Sequence, residues 1–132
     1  MPTDDAVRLL PLHAASTWIA AFAALVFLAL GLRALLAPAG AAAFFGLPVT
    51  SPDGLAFVQV FGARNIGLSL VALALIALDL RLGLVAVFFA AALIAGLDFA
   101  VVATHAGPLR AAKHLGYVAA LAAFGLWFAL RR

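Results

Sequence analysis

Residues 55–78 have the sequence LAFVQVFGARNIGLSLVALALIAL, an almost wholly apolar run that is long enough to cross a membrane. A bilayer core of about 30 Å needs about 20 apolar residues in a helix. Arg64 and Asn65 stand near the centre of this run. A central arginine costs roughly 2.5–3.5 kcal/mol on insertion scales, so we expect Arg64 to face protein, water or a counter-charge. The stretch therefore predicts a membrane-spanning helix that carries a polar site.

The rest of the chain has the same apolar character. Of its 132 residues, 68% are hydrophobic and 10% are charged, and the mean hydropathy is +1.25. Soluble domains carry roughly 25% charged residues, so we predict an integral membrane protein in contact with the lipid bilayer. The net charge of +3 is small and its cations are scattered, which argues against nucleic-acid binding. All five acids are aspartate and almost all cations are arginine, a bias that favours a bacterial source.

Four stretches are long enough to span a membrane, at about 17–36, 55–78, 82–104 and 111–130. They predict an all-α fold, an antiparallel four-helix bundle that forms a single domain over residues 1–132. In the first loop, the segment Ala41–Leu47 is too short to span and predicts a short interfacial helix that ends at Pro48. A cleaved signal peptide is the alternative for the first stretch, because residues 37–39 imitate a cleavage site. The length of the stretch, and Asp4 and Asp5 before it, argue against that alternative.

Orientation follows from the basic residues near the ends of the spans. Four spans place both termini on one side, and the positive-inside rule assigns the more basic side to the cytoplasm. The side of the termini has four arginines against three cations opposite, which predicts cytoplasmic termini in a bacterial inner membrane. The first set is Arg8, Arg81, Arg131 and Arg132, and the second is Arg33, Arg110 and Lys113.

Polar residues of three predicted helices reach a similar depth below the face formed by the first and third loops. Helical spacing places Arg64 roughly 13 Å and Asp98 roughly 9 Å from that face, with His114 close to it. At 100° per residue, three polar residues of the second span share a stripe beside Arg64, and Tyr117 shares a face with His114. The candidate binding residues are therefore Gln59, Arg64, Asn65, Ser69, Asp98, His114 and Tyr117.

Arg64 and Asp98 are expected to form an ion pair, because each supplies the charge that the other lacks in a low dielectric. Two interpretations of this pair stay open. It either belongs to a functional site, or it only holds two helices in register while Gly62 and Gly67 permit close packing.

Several kinds of chemistry are disfavoured by composition. The chain has no cysteine and only three histidines, His13, His105 and His114, so we expect no disulfide, no thiolate nucleophile and no bound metal. It has no Ser-His-Asp spacing, phosphate-binding loop or dinucleotide fingerprint, so no cofactor is expected and no catalytic residue is assigned. Whether the protein is an enzyme stays open.

The motifs FGLP at 45–48 and GARN at 62–65, followed by Asp98 and His114, carry a family resemblance. With them the chain resembles small four-helix membrane proteins of bacteria and fungi, of the type called domain of unknown function 4267. The resemblance covers roughly residues 37–132. An aspartate commonly follows the Gly-Ala-Arg triplet in that family, so Asn65 leaves this chain one carboxylate fewer. A looser likeness is to DoxX-like membrane proteins, and neither resemblance implies an established activity.

Three functions are compatible with the sequence. The first is a pocket for a small lipophilic molecule such as an isoprenoid, quinone or lipid fragment, with Arg64 and Asn65 on its head and Asp98 or His114 moving a proton. The second is a non-enzymatic membrane subunit, whose glycine-rich faces bind a partner or a second copy. The third is a small transporter, which is ranked last because the chain contains no glutamate. A pocket with Arg64 aimed into it would favour the first function, and an Arg64 saturated by Asp98 in a tightly packed interior would exclude it.

Overall fold

The computed structural model of the protein describes residues 15–130, which form five α-helices and no strand. The four long helices are α1 (Ala15–Leu36), α3 (Pro52–Ala77), α4 (Arg81–Ala106) and α5 (Pro108–Leu130). The short helix α2 (Pro38–Phe45) lies between α1 and α3. Each long helix is long and apolar enough to cross a membrane. The predicted all-α, multi-pass bundle is confirmed, while His13, Arg8, Arg131 and Arg132 lie outside the described residues.

Proline and serine determine where the helices begin. Ser51 caps α3, since its Oγ accepts a hydrogen bond from the backbone N–H of Gly54 at 3.2 Å. Pro52 follows in the first turn of α3, and Pro108 is the first residue of α5. Proline is favoured there because its missing N–H would have no helical partner. As a result, α3 and α5 begin before the predicted spans at 55 and 111.

The short helix that the sequence predicts in the first loop is present as α2. The predicted end at Pro48 is wrong, because the helix is already ended by Gly46, whose φ of +116° is the left-handed conformation that glycine adopts without strain. The backbone N–H of Gly46 donates to the carbonyl of Ala42 at 3.1 Å. A Cβ on Gly46 would also lie 3.0 Å from the side chain of Val102 on α4. A glycine at this position therefore lets the end of α2 pack closely against the bundle.

The long helices pack as two close pairs, α1 with α3 and α4 with α5, and α3 contacts α4 less extensively. In the first pair, a Cβ on Gly62 would lie 2.7 Å from the carbonyl oxygen of Gly31, so the two backbones touch. In the second pair, the ring of Phe89 packs 3.2 Å from the Cβ position of Gly125. The close packing expected at Gly62 is confirmed. The same expectation is wrong for Gly67, whose Cβ position has no neighbour within 4 Å among the described residues.

The outer surface of the bundle is apolar, and the interior between the pairs is rich in small side chains. Trp18, Phe22 and Leu93 are among many large apolar residues that are exposed, as contact with lipid requires. The buried set includes several alanines on α1, α3 and α4, which are Ala20, Ala24, Ala72, Ala92 and Ala95. Because alanine fills little volume, space remains between the two pairs.

Candidate binding site

A cavity of about 140 Å³ lies between the two helix pairs and is lined by residues of all five helices. An apolar protein cavity of roughly 150 Å³ holds a benzene ring, so this cavity encloses an apolar group of about that size, and a longer molecule would extend beyond it. The sequence alone does not decide between an open pocket and a tightly packed interior. The structure shows an open one.

The deeper part of the cavity is apolar. Alanines line it on α1, α3 and α4, and larger side chains close it. Phe88 stacks on Phe128 at a centroid distance of 5.9 Å, which holds the Phe88 ring against the cavity wall. Leu121 on α5 completes this floor. Such a surface favours a hydrocarbon chain or ring over water.

His114 is the most buried polar residue of the lining, with 2% of its surface exposed. Its Nε2 lies 3.1 Å from the backbone oxygen of Phe45. A carbonyl oxygen can only accept, so Nε2 carries the hydrogen and donates it. In the neutral ring Nδ1 is then the acceptor. The rings of Phe45 and Tyr117 pack edge-on against the imidazole, at 4.8 and 5.9 Å between centroids.

Asp98 lies on α4, half-buried, and lines the same cavity. The imidazole of His114 is close enough to act electrostatically on its carboxyl group. Within residues 15–130, Asp98 has neither a hydrogen bond nor an ion pair. A carboxylate in such a place is costly unless something donates hydrogen bonds to it. Asp98 is therefore an acceptor that faces the cavity and is available to a ligand.

Three further candidates reach the cavity: Asn65, Ser69 and Tyr117. The Ser69 hydroxyl donates to the backbone oxygen of Asn65 at 2.8 Å, so its hydrogen is already used within α3. Nothing in the described part of the chain hydrogen-bonds the side-chain amide of Asn65. That amide offers the cavity both donors and an acceptor.

The structure does not place Arg64 in the cavity. Arg64 is exposed on the outside of α3, and the predicted ion pair with Asp98 is wrong, since no ion pair joins these two residues within the part of the chain that the structure describes. The physical reason is helical geometry, because consecutive residues diverge by about 100° and Asn65 is the one that faces inward.

Gln59 also lies outside the cavity lining. Its Nε2 donates a hydrogen bond to the backbone oxygen of Leu35 at 3.1 Å. Leu35 is in the last turn of α1, where carbonyl groups lack helical partners. Gln59 therefore caps α1 and strengthens the α1–α3 pair rather than contributing to the cavity.

Three lining residues at the end of the cavity nearest the first and third loops, here called the mouth, were not among the sequence candidates: Arg33, Phe44 and Lys113. The Lys113 Nζ lies 4.6 Å and the Arg33 Cζ lies 5.3 Å from the centroid of the Phe44 ring. The two cations come from α5 and α1, and the ring comes from α2. The signal was present in the sequence, since both cations were expected at this face, but only the fold shows that they meet.

No group of three metal-ligating side chains is found in the part of the chain that the structure describes. Asp98 and His114 are the acid and the imidazole that share the cavity. Two such ligands are fewer than the three or four protein ligands that a zinc site uses. The lining is suited to hydrogen bonding with a small amphiphile.

Comparison with known proteins gives one match. The family model described as domain of unknown function (DUF4267) matches residues 24–128, which include every cavity-lining residue named in this subsection. No curated protein and no solved structure matches the chain. Since the matched region covers most of the sequence, the protein belongs to the DUF4267 family.

Proposed function

We propose that the protein binds a small amphiphile in the cavity between its two helix pairs. The apolar part of the ligand packs on the floor near Phe88 and Leu121. Its polar head lies at the opposite end, where it hydrogen-bonds Asp98, His114 Nδ1 and the Asn65 amide. This arrangement follows the usual design of ligand pockets, a mostly apolar surface with a few polar groups that fix orientation.

One observation carries the proposal: Asp98 faces an open, mostly apolar cavity and has no partner within residues 15–130. Leaving a carboxylate half-buried without a donor lowers stability. A hydroxyl or N–H group on a bound molecule would supply the missing donor. Polar groups that are held unsatisfied at a concave site are a common sign of ligand binding.

A role in packing alone, as in a non-enzymatic subunit, makes a different demand on these residues. It requires the polar side chains to bond between helices. Gln59 and His114 do so, through Leu35 and Phe45. The side chains of Asn65 and Asp98 do not, within the described residues. The polar residues therefore fall into two groups. One group bonds between helices, and the other lines the cavity, where we assign it to binding.

We also propose that the mouth of the cavity opens on the non-cytoplasmic side. The mouth lies where α1 ends and α5 begins, near the first and third loops. The positive-inside rule assigns the opposite side, with both termini and the second loop, to the cytoplasm of a bacterial inner membrane. A ligand would then enter from the outer leaflet.

A photoreactive octylglycerol, with a diazirine near the end of its chain, tests the proposal in neutral phosphatidylcholine vesicles. We expect it to label the α4 and α5 peptides that contain Phe88 and Leu121. Ala72→Leu fills the cavity and should reduce this labelling about tenfold, which corresponds to about 1.4 kcal/mol of binding. Ala74→Leu makes the same change on the exposed side of α3 and should not reduce it. Equal labelling of the two variants would contradict the proposal.

A further inference from the structure

The polar end of the cavity has two zones of different charge, and they lie at different depths. Arg33 is near the last residue of α1, and Lys113 is in the second turn of α5. At 1.5 Å per residue, they lie roughly 5 and 8 Å from their helix ends, and Asp98 lies roughly 12 Å from the end of α4. The order from the mouth inward is therefore cations, then hydrogen-bond acceptors, then the apolar floor.

The two cations are held in place but not neutralised. Each lies over the ring of Phe44, at 4.6 and 5.3 Å, and the Arg33 Nη2 also lies 3.9 Å from the Cβ position of Gly40 on the same short helix. Neither forms an ion pair within residues 15–130. A cation–π contact keeps a cation near a ring without cancelling its charge. The mouth is thus a positive site that α1, α2 and α5 build together.

Asp98 lies deeper than the two cations and forms no ion pair with Arg33 or Lys113 within the described residues. The acceptor zone contains the Asp98 carboxylate and, in the neutral ring, Nδ1 of His114. An anionic group placed there would be repelled by Asp98. A neutral donor such as a hydroxyl would be bound. The two zones therefore select different chemical groups on one molecule.

We propose that the ligand is an anionic amphiphile that carries a hydroxyl group beside its anionic group, as in a single-chain glycerol phosphate. The phosphate or carboxylate binds between Arg33 and Lys113, the hydroxyl donates to Asp98, and the chain lies along the apolar floor. This inference rests on the proposed function and specifies the class of molecule bound. A guanidinium and an ammonium group are both strong donors to phosphate oxygens.

Three photoreactive probes with the same octyl chain test the inference in neutral vesicles with the full chain. Octylglycerol phosphate carries both groups, octyl phosphate lacks the hydroxyl, and octylglycerol lacks the charge. Labelling of cavity peptides is normalised to that of lipid-facing peptides, which corrects for partitioning of each probe. We expect octylglycerol phosphate to label the cavity about tenfold more than either of the others, since each charged hydrogen bond contributes about that factor.

Substitutions test which residues produce the preference for octylglycerol phosphate. The double variant Arg33→Gln with Lys113→Gln should reduce cavity labelling by octylglycerol phosphate to the level seen with octylglycerol. Arg33→Lys with Lys113→Arg keeps both charges and should preserve the preference, which separates loss of charge from misfolding. Arg64→Gln removes an exposed cation outside the cavity and should change nothing. Loss of the preference in Arg64→Gln would overturn the assignment to the mouth.

The outcomes also separate this inference from the proposed function. Equal labelling of the cavity by all three probes would overturn the inference while leaving the binding function intact. Failure of every probe to label the cavity would overturn both. An excess of glycerol phosphate without a chain should not compete. Competition by that compound would identify a water-soluble phosphate as the ligand and would overturn the proposal that the ligand is an amphiphile.

Discussion

His114 on α5 donates a hydrogen bond from Nε2 to the backbone oxygen of Phe45, 69 residues earlier in the chain, over 3.1 Å. The same two residues also pack ring against ring, at 4.8 Å between centroids. This pair fastens the short helix α2 to the bundle and so sets the position of Phe44 and its two cations. A buried side chain can in this way serve both the fold and the cavity mouth.

Replacing His114 by phenylalanine should lower the free energy of unfolding by about 1–3 kcal/mol, because the carbonyl of Phe45 loses its donor while the ring volume is kept. Unfolding in mixed micelles, followed by circular dichroism, measures the change. His105→Phe is the matched control. Its ring is exposed and its Nδ1 lies within hydrogen-bond distance of Thr104 and Val101 in the same helix turn, so the expected change is within about 0.5 kcal/mol. Similar effects of the two substitutions would contradict the role of the Phe45 bond.

Gly62 and Gly67 lie on the same helix but should respond oppositely to alanine. A methyl group on Gly62 would meet the Gly31 oxygen at 2.7 Å and the Ala34 Cβ at 2.9 Å. Gly62→Ala should therefore push α1 from α3 and cost about 1–3 kcal/mol. In Gly67→Ala the new methyl group meets nothing of residues 15–130 within 4 Å, so the change should be neutral or stabilise by up to about 1 kcal/mol. Thermal unfolding measures the stability of both variants. A smaller loss of stability in Gly62→Ala than in Gly67→Ala would contradict the close packing of α1 against α3.

Asp98 should be required for ligand binding but not for the stability of the fold. Asp98→Leu removes a half-buried carboxylate without a partner in the described chain, so we expect the free energy of unfolding to rise by about 1 kcal/mol. The same variant should lose cavity labelling by octylglycerol. Asp53→Asn, at the exposed first turn of α3, should instead lose up to about 1 kcal/mol by weakening the interaction with the helix dipole. A loss of stability in Asp98→Leu would show that Asp98 has a structural partner.

Arg64 and Asp98 should be energetically independent. Because the structure shows Arg64 outside the cavity and no ion pair between Arg64 and Asp98 within residues 15–130, a double-mutant cycle with Arg64→Leu and Asp98→Leu should be additive within about 0.5 kcal/mol. The measured quantity is the free energy of unfolding of the two single variants and the double variant. A coupling well above that limit would restore the ion pair that the sequence alone favours.

Much of the fold follows from local sequence, and much of the site does not. Hydropathy predicts four spans, and Pro52 and Pro108 account for the earlier helix starts. Asn65, Asp98 and His114 do line one cavity, because helical spacing places each of them on an inward face. Arg64 could not be placed in the same way, since it borders the inward stripe of α3 and small rotations of the helix decide which side it faces.

The cation pair at the mouth could not be predicted because it depends on a short helix. Arg33 and Lys113 are 80 positions apart, and only the docking of α2 through His114 and Phe45 brings Phe44 between them. The cavity itself arises from the separation of two helix pairs, which depends on alanines at several depths at once. Such a volume is a property of the packed bundle and has no local signature in the chain.

The claim that the cavity binds an amphiphile is tested most directly by native mass spectrometry of the protein released from gentle detergent. After incubation with octylglycerol, we expect the wild type and Ala74→Leu to carry one bound molecule and Ala72→Leu to carry none. An adduct that persists equally in Ala72→Leu, or a wild type that never carries one, would contradict the account.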